Sequence, residues 1–145
     1  MPNASNFFTH KQQDDIRQAI MNAELDTSGE IRVHIENTCK GEVLDRALAV
    51  FKTLEMEKTA SRNGVLIYLA VKNRKFAIIG DEAIHTVVTE SFWDSIRNRM
   101  LHHFREDRFT EGLIEAITET GKQLKSHFPF QTDDKNELSD EISFN

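Results

Sequence analysis

The stretch that decides the fold is residues 62–81, RNGVLIYLAVKNRKFAIIGD. It contains an unbroken apolar run at residues 65–71, which is typical of a strand covered on both faces. Residues 72–75 supply a short polar turn, and residues 76–79 return antiparallel to the first strand. Gly80 then ends the second strand, and two acidic residues follow it. The stretch therefore predicts a buried hairpin with carboxylates at one end of a sheet.

Upstream of the hairpin, residues 30–36 alternate apolar and polar side chains, which predicts a strand with one polar face. That strand lies at a sheet edge or under an incompletely covered face. A helix follows at about residues 41–57, with an apolar stripe of Leu44, Ala47, Leu48, Phe51 and Leu54. Strand, helix and apolar strand form a βαβ unit with parallel strands and a right-handed crossover.

Helices are predicted on both sides of this unit. Thr9 and Gln12 form a capping box for a first helix that ends near residue 25. A later helix covers about residues 91–103, and a last one, capped by Thr110, runs to about residue 127; residues 84–88 are ambiguous. The predicted fold is of the α/β class: an αβα sandwich with a small mixed sheet, made of the βαβ unit and the antiparallel hairpin.

Composition limits the possible functions. The chain has 145 residues, a size typical of one domain, and its formal charge of −6 argues against nucleic acid as a partner. Its longest apolar run is far shorter than the roughly 20 residues of a membrane span. No secretory signal is visible at the N-terminus, so a cytoplasmic location is expected. The single cysteine, Cys39, excludes an intrachain disulfide and a cysteine-rich zinc site.

The domain is expected to cover residues 1–130. Residues 131–145 are rich in acidic side chains and read as a mobile tail. Docking of this tail on the domain through Leu138, Ile142 and Phe144 stays open at this point.

Four segments together resemble the TPM domain family, over about residues 9–128. They are TSGEIRV at 27–33, NGVL at 63–66, the strand ending in GD at 80–81, and FREDRFTEG at 104–112. The resemblance implies a metal-binding module whose acidic loops lie at one end of the sheet. It also implies acid phosphatase activity, or an auxiliary role with a protein partner that needs no catalysis.

Strand direction predicts which acidic loops meet. Glu30, Gly64 and Asp81 belong to one end of the sheet, because the first two begin parallel strands and the third follows an antiparallel strand. If the loop at 103–111 packs at that end, its carboxylates join the others. Mutually repelling carboxylates favour a bound cation, and oxygen ligands favour Ca²⁺ or Mg²⁺. The predicted site holds one ion or two adjacent ions and consists of Asp81, Glu82, Glu106 and Asp107, with Glu30 and Glu111 left open.

Alternative interpretations remain open for these residues. Arg105 or Arg108 could pair with the acidic loop without any metal, and Arg62 is interpreted as a structural partner of Asp81 or Glu30. His34, on the polar face of its strand, could line a groove or face solvent.

Phosphomonoester hydrolysis is the alternative function, and it would have to depend on the metal. A cysteine phosphatase needs arginine six residues after its nucleophile, but Asp45 stands at that distance from Cys39. The chain also has neither a glycine-rich phosphate loop nor a nucleophile elbow. Cys39 is therefore interpreted as a small residue at a strand end.

Overall fold

The computed structural model describes residues 4–130 and 142–144. Within these residues, one sheet contains four strands in the order β3-β2-β1-β4. The strands are β1 Glu30–Glu36, β2 Gly64–Ala70, β3 Lys75–Gly80 and β4 Ser143–Phe144. The α-helices of the same residues are α1 His10–Glu24, α2 Val43–Thr53, α3 Glu82–Val87, α4 Glu90–Arg105 and α5 Phe109–His127. Short 3₁₀ turns lie at Ala4–Asn6 and Met56–Lys58.

The sheet has the predicted mixed topology. Strand β1 pairs parallel to β2 with Glu30 opposite Gly64, and β3 pairs antiparallel to β2 with Gly80 opposite Val65. Side chains of β2 alternate between two apolar clusters, and all seven residues of this strand are buried. The predicted αβα sandwich with a βαβ unit and an antiparallel hairpin is confirmed.

The larger cluster joins the sheet to α1, α4 and α5. Helix α1 begins with the predicted capping box: the Thr9 hydroxyl accepts from the Gln12 backbone N–H at 3.1 Å, and the Gln12 side chain accepts from the Thr9 N–H at 2.9 Å. The helices α1 and α5 approach closely at Gly121, where a Cβ would lie 2.7 Å from the Ala23 Cβ. A glycine is needed there because the facing atoms include the Ala23 backbone.

Helix α2 is shorter than predicted, and part of its apolar stripe is exposed. It ends at Thr53, and Glu55 adopts a positive φ of 58° before the 3₁₀ turn. Leu44 and Leu48, predicted as core, are 58% and 48% exposed. In the smaller apolar cluster, the helical residues among those described belong to α2 and to the adjoining 3₁₀ turn. No second helix of the described residues therefore covers the flank of α2 that carries Leu44 and Leu48.

Two helix starts also differ from the sequence prediction. The ambiguous residues 84–88 belong largely to α3, for which Asp81 is the N-cap. Helix α5 begins at Phe109 rather than after Thr110, because the chain reverses through Asp107, whose φ is 59°.

The end of the chain contributes to the fold. Strand β4 pairs parallel to β1, and Ile142 is buried in the larger cluster. Residues 142–144 therefore dock on the domain, which the sequence left open; residues 131–141, including Leu138, lie outside the described residues. No helix of the described chain combines the length and the apolar character needed to cross a bilayer.

Candidate functional site

The first acidic pair of the predicted site follows strand β3. The Asp81 backbone N–H donates to the Gly64 carbonyl at 2.8 Å, and its carboxylate accepts from the Glu82 N–H at 2.8 Å. The turn into α3 depends on Gly80, since a Cβ at that position would lie 2.6 Å from Ile84 Cγ2. The pair is thus held at the predicted end of the sheet, with Asp81 buried and Glu82 exposed.

Arg62 binds this pair from the start of β2. Its Nε donates to Asp81 Oδ2 at 2.7 Å, and its Nη2 donates to Oδ1 at 2.9 Å. Its Nη1 lies 3.4 Å from Glu82 Oε1. The hydrogen bond to Asp81 raises the pKa of Arg62, and the charges of Asp81, Glu82 and Glu57 act in the same direction. The ion pair between Arg62 and Asp81, one of the two pairings expected from the sequence, is therefore present.

Further oxygen atoms lie at or near this end of the sheet. Glu30 is buried opposite Gly64, and Asn63 is buried beside it. The Asn63 Oδ1, the Thr59 Oγ1 and the Glu57 Oε2 are buried without a hydrogen-bond partner in the described part of the chain. Buried oxygen atoms of this kind are unfavourable unless a donor or a cation reaches them.

The second acidic pair, Glu106 and Asp107, lies after the last turn of α4. Glu106 pairs with Arg108 and with His102, whose Nε2 lies 3.2 Å away. The hydrogen bond from Arg108 lowers the pKa of Glu106. Asp107 Oδ1 accepts from Arg74 Nη1 at 2.6 Å, and the Arg74 guanidinium stacks over a phenyl ring of α5.

These two pairs lie at opposite ends of the sheet, so the predicted convergence of Glu106 and Asp107 on Asp81 and Glu82 is wrong. Arg74, the partner of Asp107, belongs to the turn between β2 and β3. Five residue steps separate Lys75 from Gly80, which places the ends of β3 roughly 17 Å apart.

The direction of α4 is the physical reason for this separation. Trp93, near the start of α4, faces Gly80, whereas Phe104, near its end, packs edge-on against Phe76 at 5.2 Å. The helix therefore carries its C-terminal loop away from Asp81 toward the hairpin turn. Across residues 4–130 and 142–144, no three His, Cys, Asp or Glu side chains form a group suited to a metal ion.

A buried polar network, which the sequence analysis missed, lies on β1 and β2. Glu36 accepts from Arg46 Nε at 2.9 and 3.1 Å and from the Tyr68 hydroxyl, and His34 Nε2 lies 3.3 Å away. Burial opposes ionisation of Glu36, but the hydrogen bonds from Arg46, Tyr68 and His34 outweigh it and bring its pKa to about 2. The parallel register places His34 opposite Tyr68, and this pairing was the signal available in the sequence.

His34 is buried and stacks on Tyr68, with ring centroids 6.1 Å apart. Its Nδ1 lies 2.7 Å from the Ser143 hydroxyl. Burial lowers the pKa of His34, while the hydrogen bond to Glu36 acts in the opposite direction. Of the two possibilities left open for His34, facing solvent is therefore excluded.

The family assignment comes from comparison with known proteins. The family model described as TPM domain matches residues 3–123. The chain belongs to the TPM domain family.

Solved structures similar to this TPM domain support the same fold. The BA42 protein of the psychrophilic bacterium Bizionia argentinensis is 44% identical over 97% of both chains, with a TM-score of 0.90. The N-terminal domain of the cg2496 protein of Corynebacterium glutamicum is 13% identical, covers 92% of this chain and 84% of its own, and has a TM-score of 0.67. The N-terminal domain of a P. gingivalis protein is 17% identical to this chain. The alignment covers 86% of this chain and 82% of that domain, with a TM-score of 0.69. No curated protein matches this TPM domain.

Three further histidines of this TPM domain line two different cavities, and the cysteine lines neither of them. His103 Nε2 lies 3.4 Å from Glu115, in a cavity of about 650 Å³ between α4 and α5 that also contains His102. His85 lines a different cavity, of about 360 Å³, beside Glu82. Cys39 is buried, and its backbone N–H donates to the Asn73 side chain.

Proposed function

We propose that this TPM domain binds a divalent cation, Ca²⁺ or Mg²⁺, through Asp81 and Glu82. One observation carries the proposal: a buried carboxylate at the sheet end is paired with an arginine whose side chain is 40% exposed. The guanidinium occupies the place that a bound cation would take. The neighbouring oxygen atoms, including the Asn63 Oδ1, are of the type that complete the coordination of hard cations.

In this proposal, Arg62 is an internal competitor of the metal ion. An ion that takes Asp81 must displace the guanidinium, which can turn outward because it is partly exposed. Glu30, buried at the same end of the sheet, and Glu57, whose charge acts on Arg62, are further candidates for ligands. Glu106 and Asp107 remain candidates for binding a second, separate ion. Such an ion must displace Arg108 from Glu106 and Arg74 from Asp107.

The decisive experiment is a calcium and magnesium titration of chelator-treated protein, followed by amide NMR shifts. We expect saturable shifts centred on Arg62 and residues 80–82. Asp81→Asn should remove them, whereas the matched variant Asp107→Asn, at the opposite end, should leave them unchanged. No saturable change up to about 1 mM, the weak end of protein calcium sites, would contradict the proposal.

The variant Arg62→Gln tests the competition directly. Removing the internal cation should increase metal affinity about tenfold. A weaker metal affinity in this variant would show that Arg62 supports the ion instead of competing with it.

Metal-dependent phosphomonoester hydrolysis is the second candidate. Arg62 favours it, because a guanidinium released from Asp81 presents a planar fork suited to phosphoryl oxygens. A bound ion could then polarise the phosphoryl group. Hydrolysis of p-nitrophenyl phosphate that requires metal and is lost in both Asp81→Asn and Arg62→Gln would support it; equal turnover in these variants would point to a contaminant.

A regulatory or interaction role without turnover needs the same ion. Because Asp81 also caps α3, an ion that binds its carboxylate acts directly on the start of that helix. Hydrogen exchange of α3 should slow on metal addition in the wild-type chain and stay unchanged in Asp81→Asn. Identical exchange with and without metal in the wild-type chain would count against a metal-responsive module.

A further inference from the structure

The outer edge of β1 is covered by the end of the chain itself. Strand β4 pairs with two residues of β1, His34 and Ile35. The opposite edge of β1 pairs with β2 over all seven residues. Within the described residues, the β4 ladder therefore covers two of the seven positions of β1.

Three consecutive side chains hold β4 in place. Ile142 is 6% exposed and belongs to the larger apolar cluster, and Phe144 packs against the same cluster. Between them, the Ser143 hydroxyl contacts His34 Nδ1 at 2.7 Å and the Val33 carbonyl at 3.3 Å. The alternation of a strand puts the two apolar side chains on one face and the hydroxyl on the other.

The receiving surface is built by residues other than the tail. The position of His34 is set by its stacking on Tyr68 and by its contact with Glu36. Glu36 is held in turn by Arg46 from α2. His34, which contacts the serine hydroxyl, thus belongs to a network whose other contacts do not involve β4.

We propose that this edge of β1 is a binding site for an extended segment of another protein with the pattern apolar–Ser–apolar. The chain's own Ile142–Phe144 segment is a built-in ligand that competes with that partner. Strand addition to a sheet edge takes its affinity from main-chain hydrogen bonds and its specificity from alternate side chains, and both elements are present in the β4 contact. This inference is independent of the proposed metal site.

Covalent attachment favours the chain's own segment over a free partner. Binding within one molecule loses less translational and rotational freedom than association of two molecules, so a modest intrinsic affinity is sufficient. A partner strand must offset this advantage through a longer ladder with β1. At Ile31 the ladder would have to replace the Glu24 carboxylate, which accepts from the Ile31 N–H at 2.8 Å.

The test uses a labelled peptide of residues 138–145, LSDEISFN, and a variant that ends at Glu141. The truncated protein should bind the peptide at least tenfold more tightly than the full chain. Peptides with Ser143→Ala or with a scrambled sequence should bind the truncated protein at least fivefold more weakly. Equal binding of the scrambled peptide, or equal affinity of the two proteins, would overturn the proposal.

A second measurement covers the case in which the truncated variant does not fold. Unlabelled peptide added to the full chain at millimolar concentration should shift the Ser143 amide resonance toward its unstructured position. An unchanged resonance would contradict exchange at this edge. A concentration-dependent dimer of the full chain that disappears on truncation would assign the edge to a second copy, which would overturn the choice of another protein as the partner.

Discussion

At the scale of single residues, two buried carboxylates meet arginine with different consequences. Glu36 is contacted by Arg46, Tyr68 and His34, so an incoming ion would have to replace three partners. Asp81 is bound by Arg62 and by the N–H of Glu82, which leaves the guanidinium as its main competitor for a cation. For this reason the proposed metal site lies at Asp81, and Glu36 is treated as structural.

The pKa of Glu36 predicts a loss of stability in acid. Its folded-state pKa of about 2 lies below its usual 4.5, so the stabilisation is present above pH 4.5 and is lost as the pH falls toward 2. The total corresponds to about 3 kcal/mol of unfolding free energy. Urea unfolding at a series of pH values should show this loss in the wild-type chain. The variant Glu36→Gln should have a lower free energy of unfolding than the wild-type chain at pH 6, and this free energy should change less as the pH falls toward 2. The same pH dependence in both proteins would contradict the assignment.

At the scale of elements, the periodicity of each segment predicted its secondary structure, but contacts between elements decided which faces are buried and where each helix ends. The apolar stripe of α2 correctly predicted a helix, but the number of helices on that face decided that Leu44 and Leu48 stay exposed. In the same way, the sequence predicted α4 as a helix without indicating that its last turn points to the hairpin turn.

The crossing of α1 and α5 gives a prediction for Gly121. A methyl group there would meet the Ala23 Cβ at 2.7 Å and the Ala23 Cα at 3.0 Å, so the helices must move apart. We expect Gly121→Ala to destabilise the protein by about 1–3 kcal/mol, the usual cost of overpacking. Urea denaturation should show this loss, while the control Thr118→Ala, at an exposed position of the same helix, should change stability by less than about 0.5 kcal/mol.

At the scale of the whole molecule, burial and strand pairing differ between the centre of the sheet and its edges. Strand β2 is buried along its whole length and pairs on both sides, whereas β3 and β4 are the outermost strands of the described sheet. Both proposed activities lie at the periphery of this centre: the ion at one sheet end, and the partner strand on the β1 edge.

This arrangement predicts an order of amide exchange. Amides of β2 should exchange only through global unfolding, so their protection should equal the free energy of unfolding from urea. Amides of β4 should exchange through local opening, several orders of magnitude faster. Protection of β4 equal to that of β2 would mean that the tail does not open separately, and it would weaken the proposal for the β1 edge.

The sequence by itself determined the class of the fold, the strands β1 to β3, the capping box of α1, and the sheet end shared by Glu30, Gly64 and Asp81. These features follow from local periodicity and from strand direction, which are properties of neighbouring residues. Tertiary structure decided the separation of Asp107 from Asp81, the network around Glu36, and the docking of the last residues on β1. Those features depend on which distant elements pack together, and this is set by the shape and burial of whole surfaces rather than by any local pattern.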